Sequence, residues 1–314
     1  MESDKPTVVI TGISGFLGSR VAEVFLKSGQ FRVKGTVRSA TNEKKIAPIR
    51  EGLGDLFRQL ELVEADLLNA ESLMKAIEGA TYVVHTASPI PTEIPKNEDL
   101  LIKPAVEGTL AVLRACDQHQ VKRCVLTSSV AAIMWGKFKT GYQFTDQDWN
   151  DPGNTAPYEK SKTLAEEAAW SFLKNTATHK FELVTINPGI ILGKPIIPGE
   201  FASSKIVIDM MTGKMPAVPK CQFGFVDVED VAKAHLQAVL VPEAAGRRFI
   251  LSAETLWFLA ILQGLKNEFK KYGYKICVHE VNKLIKFMSC FDKRMESIVQ
   301  LLGKEFTFDN SPAK

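Results

Sequence analysis

Residues Thr11–Gly18 read TGISGFLG and lie between a β-branched run, Thr7–Ile10, and an amphipathic run. This order predicts a strand, a tight turn and a helix, which is the context that a dinucleotide-binding fingerprint requires. Gly12 suits a turn with positive φ, Gly15 lets a pyrophosphate approach the backbone, and Gly18 lets the helix pack closely on the sheet. Because an ordinary βα turn can carry the same glycines, the rest of the chain has to decide between the two interpretations.

The composition is that of a soluble globular protein, with 45% hydrophobic and 24% charged residues. A net charge of +3 gives no reason to expect nucleic acid or a membrane surface as a partner. Met1–Pro6 lacks the pattern of a signal peptide, and no apolar run approaches the roughly 18 residues of a membrane span. The five cysteines show neither paired nor metal-ligand spacing, which predicts free thiols, a cytoplasmic protein and no metal site.

Short apolar runs alternate with helical patterns along much of the chain. Strands are predicted at residues 31–37, 60–63, 82–84, 124–127, 181–186, 223–226 and 248–251. Helices are predicted among them at residues 99–119, 158–173 and 228–239, and later helical spacing includes Leu256–Leu265 and Met295–Leu302. Such alternation predicts an α/β protein with a doubly wound parallel sheet.

Two domains are predicted from these elements. A nucleotide-binding domain covers residues 1–190, and residues 221–250 return to it. A smaller substrate-binding subdomain comprises residues 191–220 and 251–314. Residues 195–219 are rich in proline and glycine around a short apolar helix, which predicts a lid over the site.

Arg38 ends the second predicted strand, where a dinucleotide fold faces the adenosine ribose. An acidic residue there binds a free 2′-hydroxyl, whereas arginine, with Lys44 and Lys45 following, suits a 2′-phosphate. These residues favour NADPH over NADH, although a solvated basic loop has the same composition.

Asp66 follows the third strand and either accepts a hydrogen bond from adenine or caps the next helix.

Tyr158 and Lys162 are four residues apart on a predicted helix and therefore lie on one face. The lysine ammonium is expected to lower the pKa of the phenol, which is about 10 in free tyrosine, toward the working range of an acid–base catalyst. Ser129 follows the fifth strand, where its hydroxyl can hydrogen-bond a substrate carbonyl. The predicted reaction is hydride transfer to that carbonyl, with Tyr158 as proton donor and Lys162 also holding the nicotinamide ribose. His85 is interpreted as a packed strand-end residue rather than a base.

In these motifs the chain resembles the extended short-chain dehydrogenase/reductases of the NAD-dependent epimerase/dehydratase superfamily. Within them it is similar to the group of dihydroflavonol reductase, cinnamoyl-CoA reductase and yeast methylglyoxal reductase. The resemblance runs over essentially the whole chain. It is carried by Thr11–Gly18, Val37–Lys45, Asp66-Leu67, His85–Pro89, Thr127–Ser129, Tyr158-x-x-x-Lys162, Asn187-Pro188 and Phe225–Val228.

The resemblance implies a Rossmann-type sheet, NADP(H) as cofactor and a catalytic triad of Ser129, Tyr158 and Lys162. It implies that Arg38 and Lys45 hold the 2′-phosphate. The nicotinamide would lie against Pro188, and the phosphates near Ser203 or Ser204. The full set of implied cofactor contacts is Gly12, Ser14, Gly15, Phe16, Leu17, Gly18, Arg38, Lys45, Asp66, Leu67, Thr86, Ala87, Ser88, Thr127, Tyr158, Lys162, Pro188, Ser203 and Ser204.

The C-terminal part departs from this resemblance. Family members follow the segment that resembles Phe308–Lys314 with a further strand and helix, and residues 283–302 match the family less closely. We therefore expect a substrate-binding subdomain that is shortened or rearranged at its C-terminus.

The intact triad predicts an NADPH-dependent carbonyl reductase that acts on a small-molecule aldehyde or ketone, as a monomer or homodimer. One alternative is a non-catalytic NADP(H)-binding sensor or interaction protein. Another is a sugar-nucleotide epimerase or 3β-hydroxysteroid dehydrogenase of the same superfamily with bound NAD, and Arg38 argues against it.

Overall fold

The computed structural model describes residues 5–88, 97–136, 138–175, 181–199, 201–215, 217–289 and 296–314. Pro89, Cys290 and Met295, which belong to motifs or patterns named above, lie outside the described residues. The described cysteines, Cys116, Cys124, Cys221 and Cys277, are free thiols. Within the described ranges, no helix combines the length and apolarity that a membrane crossing needs.

A seven-stranded parallel sheet forms the centre of the molecule. Its strands are β1 (Thr7–Thr11), β2 (Arg32–Val37), β3 (Leu60–Glu64), β4 (Tyr82–His85), β5 (Arg123–Thr127), β7 (Glu182–Pro188) and β10 (Arg248–Leu251). They lie in the order β10-β7-β5-β4-β1-β2-β3, and every pairing between neighbours is parallel. The predicted doubly wound α/β sheet is therefore confirmed. The strand order reverses between β1 and β4, which is where such sheets bind ligands at their carboxyl ends.

Helices cover both faces of this sheet. The described part of the chain has the α-helices α1 (Phe16–Ser28), α2 (Glu43–Leu53), α3 (Ala70–Ile77), α4 (Asp99–Gln118), α5 (Pro157–Asn175), α6 (Ala202–Met211), α7 (Val228–Leu240), α8 (Phe258–Phe269), α9 (Asn282–Ser289) and α10 (Glu296–Leu301), of which α6 and α8 pack in a separate apolar cluster. Helices α1 and α7 pack together on one side, and α3, α4 and α5 pack on the other. Val8 and Ile10 join the first apolar cluster while Val9 joins the second, because alternate strand residues point to opposite faces.

Two small sheets complete the fold. One has β8 (Ile190–Leu192), β9 (Gln222–Asp227) and β11 (Glu254–Trp257) in the order β11-β9-β8. The other pairs β6 (Tyr142–Phe144) with β12 (Phe306–Phe308). Within residues 221–250, β10 therefore lies in the large sheet and α7 packs against α1 on a face of that sheet. The strand β9 of the same segment belongs to a small sheet.

Leu256 corrects one sequence-based expectation. Its spacing with later leucines predicted a helix, but it lies in β11 and is paired opposite Phe223 of β9. The helix α8 begins only at Phe258. Antiparallel pairing with β9 has overridden the local helical periodicity.

Candidate active site

The glycine turn between β1 and α1 has the geometry that its sequence predicts. Gly12 has a φ of 76°, and a Cβ there would lie 2.9 Å from Ala87 Cα. A Cβ at Gly18 would lie only 2.2 Å from the Gly12 carbonyl oxygen. The requirement for glycine is therefore confirmed at both positions. Gly12 needs the positive φ and the close approach of Ala87, and Gly18 needs the close packing of α1 on the turn.

The N-terminus of α1 faces this turn and suits an anion. Gly15 is its N-cap, and within the described chain no side chain caps the helix and no acidic residue lies in its first turn. The first backbone N–H groups of a helix have no intrahelical acceptor, and the helix dipole favours negative charge beside them. The turn carries Ser14 before Gly15, and Phe16 and Leu17 follow between Gly15 and Gly18; it thus fits the pyrophosphate of a dinucleotide.

The ends of β1 and β4 are joined by side-chain hydrogen bonds. Thr11 Oγ1 lies 2.8 Å from His85 Nδ1, and Thr86 Oγ1 donates to the Thr11 carbonyl at 2.6 Å. The pKa of His85 is lowered to about 3, mainly by burial and also by the charge of Lys162. His85 is thus a neutral, packed residue. Ala87 N donates to Thr11 Oγ1, so Thr86 and Ala87 lie directly beside the glycine turn.

Ser129, Tyr158 and Lys162 come together at the carboxyl end of the sheet. Ser129 follows β5, and its Oγ accepts a hydrogen bond from Ala131 N at 3.1 Å. Tyr158 and Lys162 lie on the first two turns of α5, and Lys162 Nζ donates to Ser88 Oγ at 3.2 Å. The side chains of Ser129 and Tyr158 form a hydrogen bond, so the two hydroxyls lie together. This hydrogen bond acts to lower the pKa of Tyr158.

The electrostatics of Tyr158 differ from the expectation. The pKa of Tyr158 is raised to about 12, first by desolvation in the surrounding protein and then by the charge of Glu159, while a hydrogen bond with Ser129 opposes both. Since 36% of the residue surface is exposed, water screens part of this desolvation. The expected lowering of the Tyr158 pKa by Lys162 is therefore not found.

Lys162 is a buried cation. It is 8% exposed, and burial lowers its pKa to about 8 while the charge of Glu166 works in the opposite direction. A cleft beside it runs between β4, β5 and α5 and is lined in part by His85, Ser88, Thr127, Ser128, Lys162 and Glu166. Polar groups from three elements thus converge where the fold places a ligand.

The basic residues after β2 are available to an anion. Arg38, Lys44 and Lys45 are all exposed, and none forms an ion pair with any residue that the structure describes. Arg38 directly follows Val37, the last residue of β2. An exposed guanidinium without a carboxylate partner among the described residues, at the strand end where a dinucleotide fold places the adenosine ribose, suits a 2′-phosphate.

Asp66 does not cap the following helix. The N-cap of α3 is Asn69, whose side chain accepts a hydrogen bond from Ser72 N at 3.0 Å. Asp66 Oδ1 instead accepts from Leu68 N, which closes a local turn. Of the two roles considered for Asp66, helix capping is therefore wrong. Leu67 lies against α4, where a Cβ on Gly108 would be 3.6 Å from its side chain.

The remaining implied cofactor contacts lie on two further elements. Pro188 ends β7, and its carbonyl oxygen is 3.5 Å from Ser129 Oγ. Ser203 and Ser204 lie in the first turn of α6. The ring of Phe201, just before α6, packs against Phe16 with ring centroids 5.2 Å apart, so the start of α6 lies beside the start of α1.

Comparison with known families agrees with these motifs. The family model described as NAD dependent epimerase/dehydratase family matches residues 8–251. The chain belongs to this family. Its resemblance to the extended short-chain dehydrogenase/reductases is thereby confirmed, as the matched range includes most of β1 and all of the glycine turn, α5 and β10.

Proteins similar to this chain include several reductases. Cinnamoyl-CoA reductase CAD2 of Medicago truncatula is 35% identical over 78% of this chain and 75% of its own. Anthocyanidin reductase of Arabidopsis thaliana is 33% identical over 84% and 81%. The crystal structure of yeast methylglyoxal/isovaleraldehyde reductase Gre2 complexed with NADPH aligns with a TM-score of 0.79, at 27% identity over 98% of this chain and 92% of that one.

Two buried polar residues of the site, Glu166 and Arg248, were missed from the sequence, and Asn187 was named there only as part of a motif. Glu166 and Arg248 form an ion pair at 2.7 Å, and Asn187 Nδ2 donates to Glu166 at 2.7 Å. Glu166 follows Lys162 by four residues, and this spacing on a predicted helix is the signal that could have found it. Arg248 had no such signal, because its partners lie far away in the sequence.

Proposed function

We propose that this protein is an NADPH-dependent carbonyl reductase that converts an aldehyde or ketone to the alcohol. Its membership of the family and its reductase relatives support an oxidoreductase acting on a small molecule. The NADPH complex of the yeast structural neighbour supports the cofactor. The assignment of carbonyl reduction as the reaction depends on the site residues of this chain.

One observation carries the proposal: Ser129, Tyr158 and Lys162 meet beside the glycine turn, at the carboxyl ends of β4 and β5. Each side chain has a chemistry that carbonyl reduction needs. Ser129 supplies a hydrogen-bond donor for the carbonyl oxygen, Tyr158 supplies a proton, and Lys162 supplies a positive charge. A binding protein without catalysis has no need for this combination.

When bound, NADPH supplies a hydride to the carbonyl carbon. The Ser129 hydroxyl donates a hydrogen bond to the carbonyl oxygen as negative charge develops there. Tyr158 then transfers its phenolic proton to that oxygen. Because the pKa of Tyr158 is raised, the phenol holds this proton at neutral pH, which suits a donor in the direction of reduction. The Lys162 ammonium stabilises the phenolate that remains and holds the ribose hydroxyls.

The cofactor assignment rests on two surfaces. The glycine turn and the N-terminus of α1 bind the pyrophosphate, together with Ser203 or Ser204 of α6. Arg38 and Lys45 bind the 2′-phosphate. Asp66 and Leu67 lie on the adenine side, whereas Thr86, Ala87, Ser88, Thr127 and Pro188 line the path toward the nicotinamide.

The test is NADPH consumption with a panel of carbonyl compounds, namely methylglyoxal, aromatic aldehydes, diketones and a flavonoid ketone. Tyr158→Phe is expected to lower turnover by roughly 100-fold or more while NADPH still binds, because only the transferable proton is lost. Tyr272→Phe, which alters an exposed tyrosine after α8, is the matched control and should keep full activity. Equal turnover in Tyr158→Phe and the wild type would contradict the proposal.

A further inference from the structure

Glu166 is a buried carboxylate that the proposed reaction does not use directly. It lies one helical turn after Lys162 on α5, and its side chain has no exposed surface. Burying a carboxylate is costly unless hydrogen bonds and an opposite charge compensate for the lost water. The groups that compensate here belong to several different elements of the site.

One carboxylate oxygen joins the ends of β5 and β7. Glu166 Oε2 accepts hydrogen bonds from Ser128 Oγ at 2.5 Å and from Asn187 Nδ2 at 2.7 Å. The same Asn187 amide group also donates to the Ser129 carbonyl oxygen at 3.2 Å. Glu166 Oε2 therefore binds the side chain of Ser128 directly, and it is linked to the backbone carbonyl of Ser129 through Asn187.

The other carboxylate oxygen binds the cation of β10. Arg248 Nε donates to Glu166 Oε1 at 2.7 Å, and Arg248 Nη1 donates to the carbonyl oxygens of Asp146 and Asp148 at 2.7 Å each. The guanidinium also stacks on Trp149, 3.8 Å from the ring centroid. Arg248 thus fixes the loop that leads into α5, and Glu166 fixes Arg248.

Glu166 is also the carboxylate whose charge acts on Lys162. Burial lowers the pKa of Lys162, and the Glu166 charge raises it again. The other ionisable groups around these two residues are His85 of β4, Tyr158, Glu159 and Glu167 of α5, and Arg248 of β10. His85 is uncharged at neutral pH, and Arg248 forms an ion pair with the carboxylate whose charge also acts on Lys162.

We propose that Glu166 is a positioning residue, whose carboxylate fixes the backbone around Ser129 and serves as the counter-charge of Lys162. This role rests on the proposed reductase function, because it orients the residues assigned to that reaction. The role also predicts that the pKa of Lys162 depends on the charge of Glu166 in the absence of any substrate. Glu166 therefore acts on the chemistry through Ser129 and Lys162 rather than through the substrate.

The direct test measures the ionisation of Lys162 by NMR on protein labelled with ¹³C at lysine Cε. Loss of one signal in Lys162→Arg identifies the resonance. In Glu166→Gln, which keeps the side-chain size but removes the charge, the Lys162 pKa is expected to fall by on the order of 1 unit from its value of about 8. Glu167→Gln removes one charge from the adjacent position and is the matched control, with a clearly smaller shift.

Turnover gives the second measurement and separates the two proposals. In Glu166→Gln the alkaline limb of kcat should move to lower pH, whereas Glu166→Asp, which keeps the charge, should retain the wild-type limb. If the wild type reduces no carbonyl, the proposed function fails while the NMR titration still tests Glu166. If the wild type turns over and Glu166→Gln leaves the Lys162 pKa unchanged, the counter-charge role is overturned; if Glu166→Gln also leaves kcat unchanged, the positioning of Ser129 is overturned as well.

Arg248→Gln tests the same idea with the opposite sign and serves also if Glu166→Gln does not fold. Removal of the competing guanidinium leaves the Glu166 carboxylate to Lys162 alone. The Lys162 pKa should therefore rise in Arg248→Gln. A fall or no change in this variant would overturn the counter-charge role.

Discussion

Tyr158 and Glu159 are adjacent in the first turn of α5, and the carboxylate of Glu159 raises the pKa of the Tyr158 phenol. Burial in turn raises the pKa of Glu159 to about 7. Its Oε2 atom is buried and has no hydrogen-bond partner among the described residues. The proposed proton donor therefore has beside it a carboxylate that ionises close to neutral pH.

Replacement of this carboxylate should alter the pH dependence of the reaction. In Glu159→Gln the negative charge is lost, so the Tyr158 pKa should fall from about 12 toward its usual value. Below the pKa, each unit of this fall increases the phenolate fraction about tenfold, which should accelerate the reverse oxidation of the alcohol. Rate–pH profiles in both directions measure the effect, with Glu167→Gln as the control. Profiles that coincide with those of the wild type would show that Glu159 does not act on Tyr158.

Cofactor preference should depend on Arg38. Arg38→Ser removes an exposed guanidinium and the hydrogen bonds that we assign to the 2′-phosphate, which are worth about 1.5–3 kcal/mol. The KM for NADPH should rise roughly 10- to 100-fold, while the KM for NADH stays the same. Arg32→Ser, at the other end of β2, removes the same charge far from the proposed ribose site and should change neither value. Equal losses with both cofactors in Arg38→Ser would argue against 2′-phosphate binding.

Gly18 should tolerate no side chain. In Gly18→Ala the Cβ would lie 2.2 Å from the Gly12 carbonyl oxygen, so the turn and α1 must move apart. We expect a loss of about 1–3 kcal/mol in the free energy of unfolding and weaker NADPH binding. Gly264→Ala, inside α8 with no atom near the added Cβ, should be neutral or stabilise the protein by up to about 1 kcal/mol. Denaturant unfolding and NADPH fluorescence titration measure the two effects.

Stability should fall on mild acidification because two histidines are buried in the neutral form. Burial lowers the pKa of His85 to about 3 and that of His235 to about 4, from 6.5 in the unfolded chain. Since the unfolded state binds protons more tightly, stability is complete above pH 6.5 and is lost as the pH falls from 6.5 toward 4. Each histidine contributes roughly 1.4 kcal/mol per pH unit in this window.

The dependence can be assigned by substitution. His85→Gln should make the free energy of unfolding less sensitive to pH between 6.5 and 4, since one buried titrating group is removed. His279→Gln, at an exposed position, should keep the wild-type slope. Denaturant unfolding at several pH values gives both slopes, and an equal slope in all three proteins would exclude His85 as the cause.

Elements with strong local patterns were predicted well, and elements that depend on distant partners were missed. The buried strands β1, β4 and β5 and the helices α4 and α5 carry their own periodicity and agree with the structure within a few residues. By contrast, β6 and β12 have three residues each and pair across most of the chain. Three residues carry too little pattern to predict a strand, so such strands depend on the tertiary contacts that pair them.

The sequence by itself determined the glycine turn, the parallel sheet and the positions of Ser129, Tyr158 and Lys162, because these depend on local periodicity and on short spacings. Only the tertiary structure decided the electrostatics of the site. Glu166 and Arg248 are 82 positions apart, yet the fold buries them as one ion pair. Burial also raised the pKa of Tyr158 where its neighbour Lys162 was expected to lower it. Desolvation and Coulomb interactions depend on distance in space, which the order of residues along a chain does not reveal.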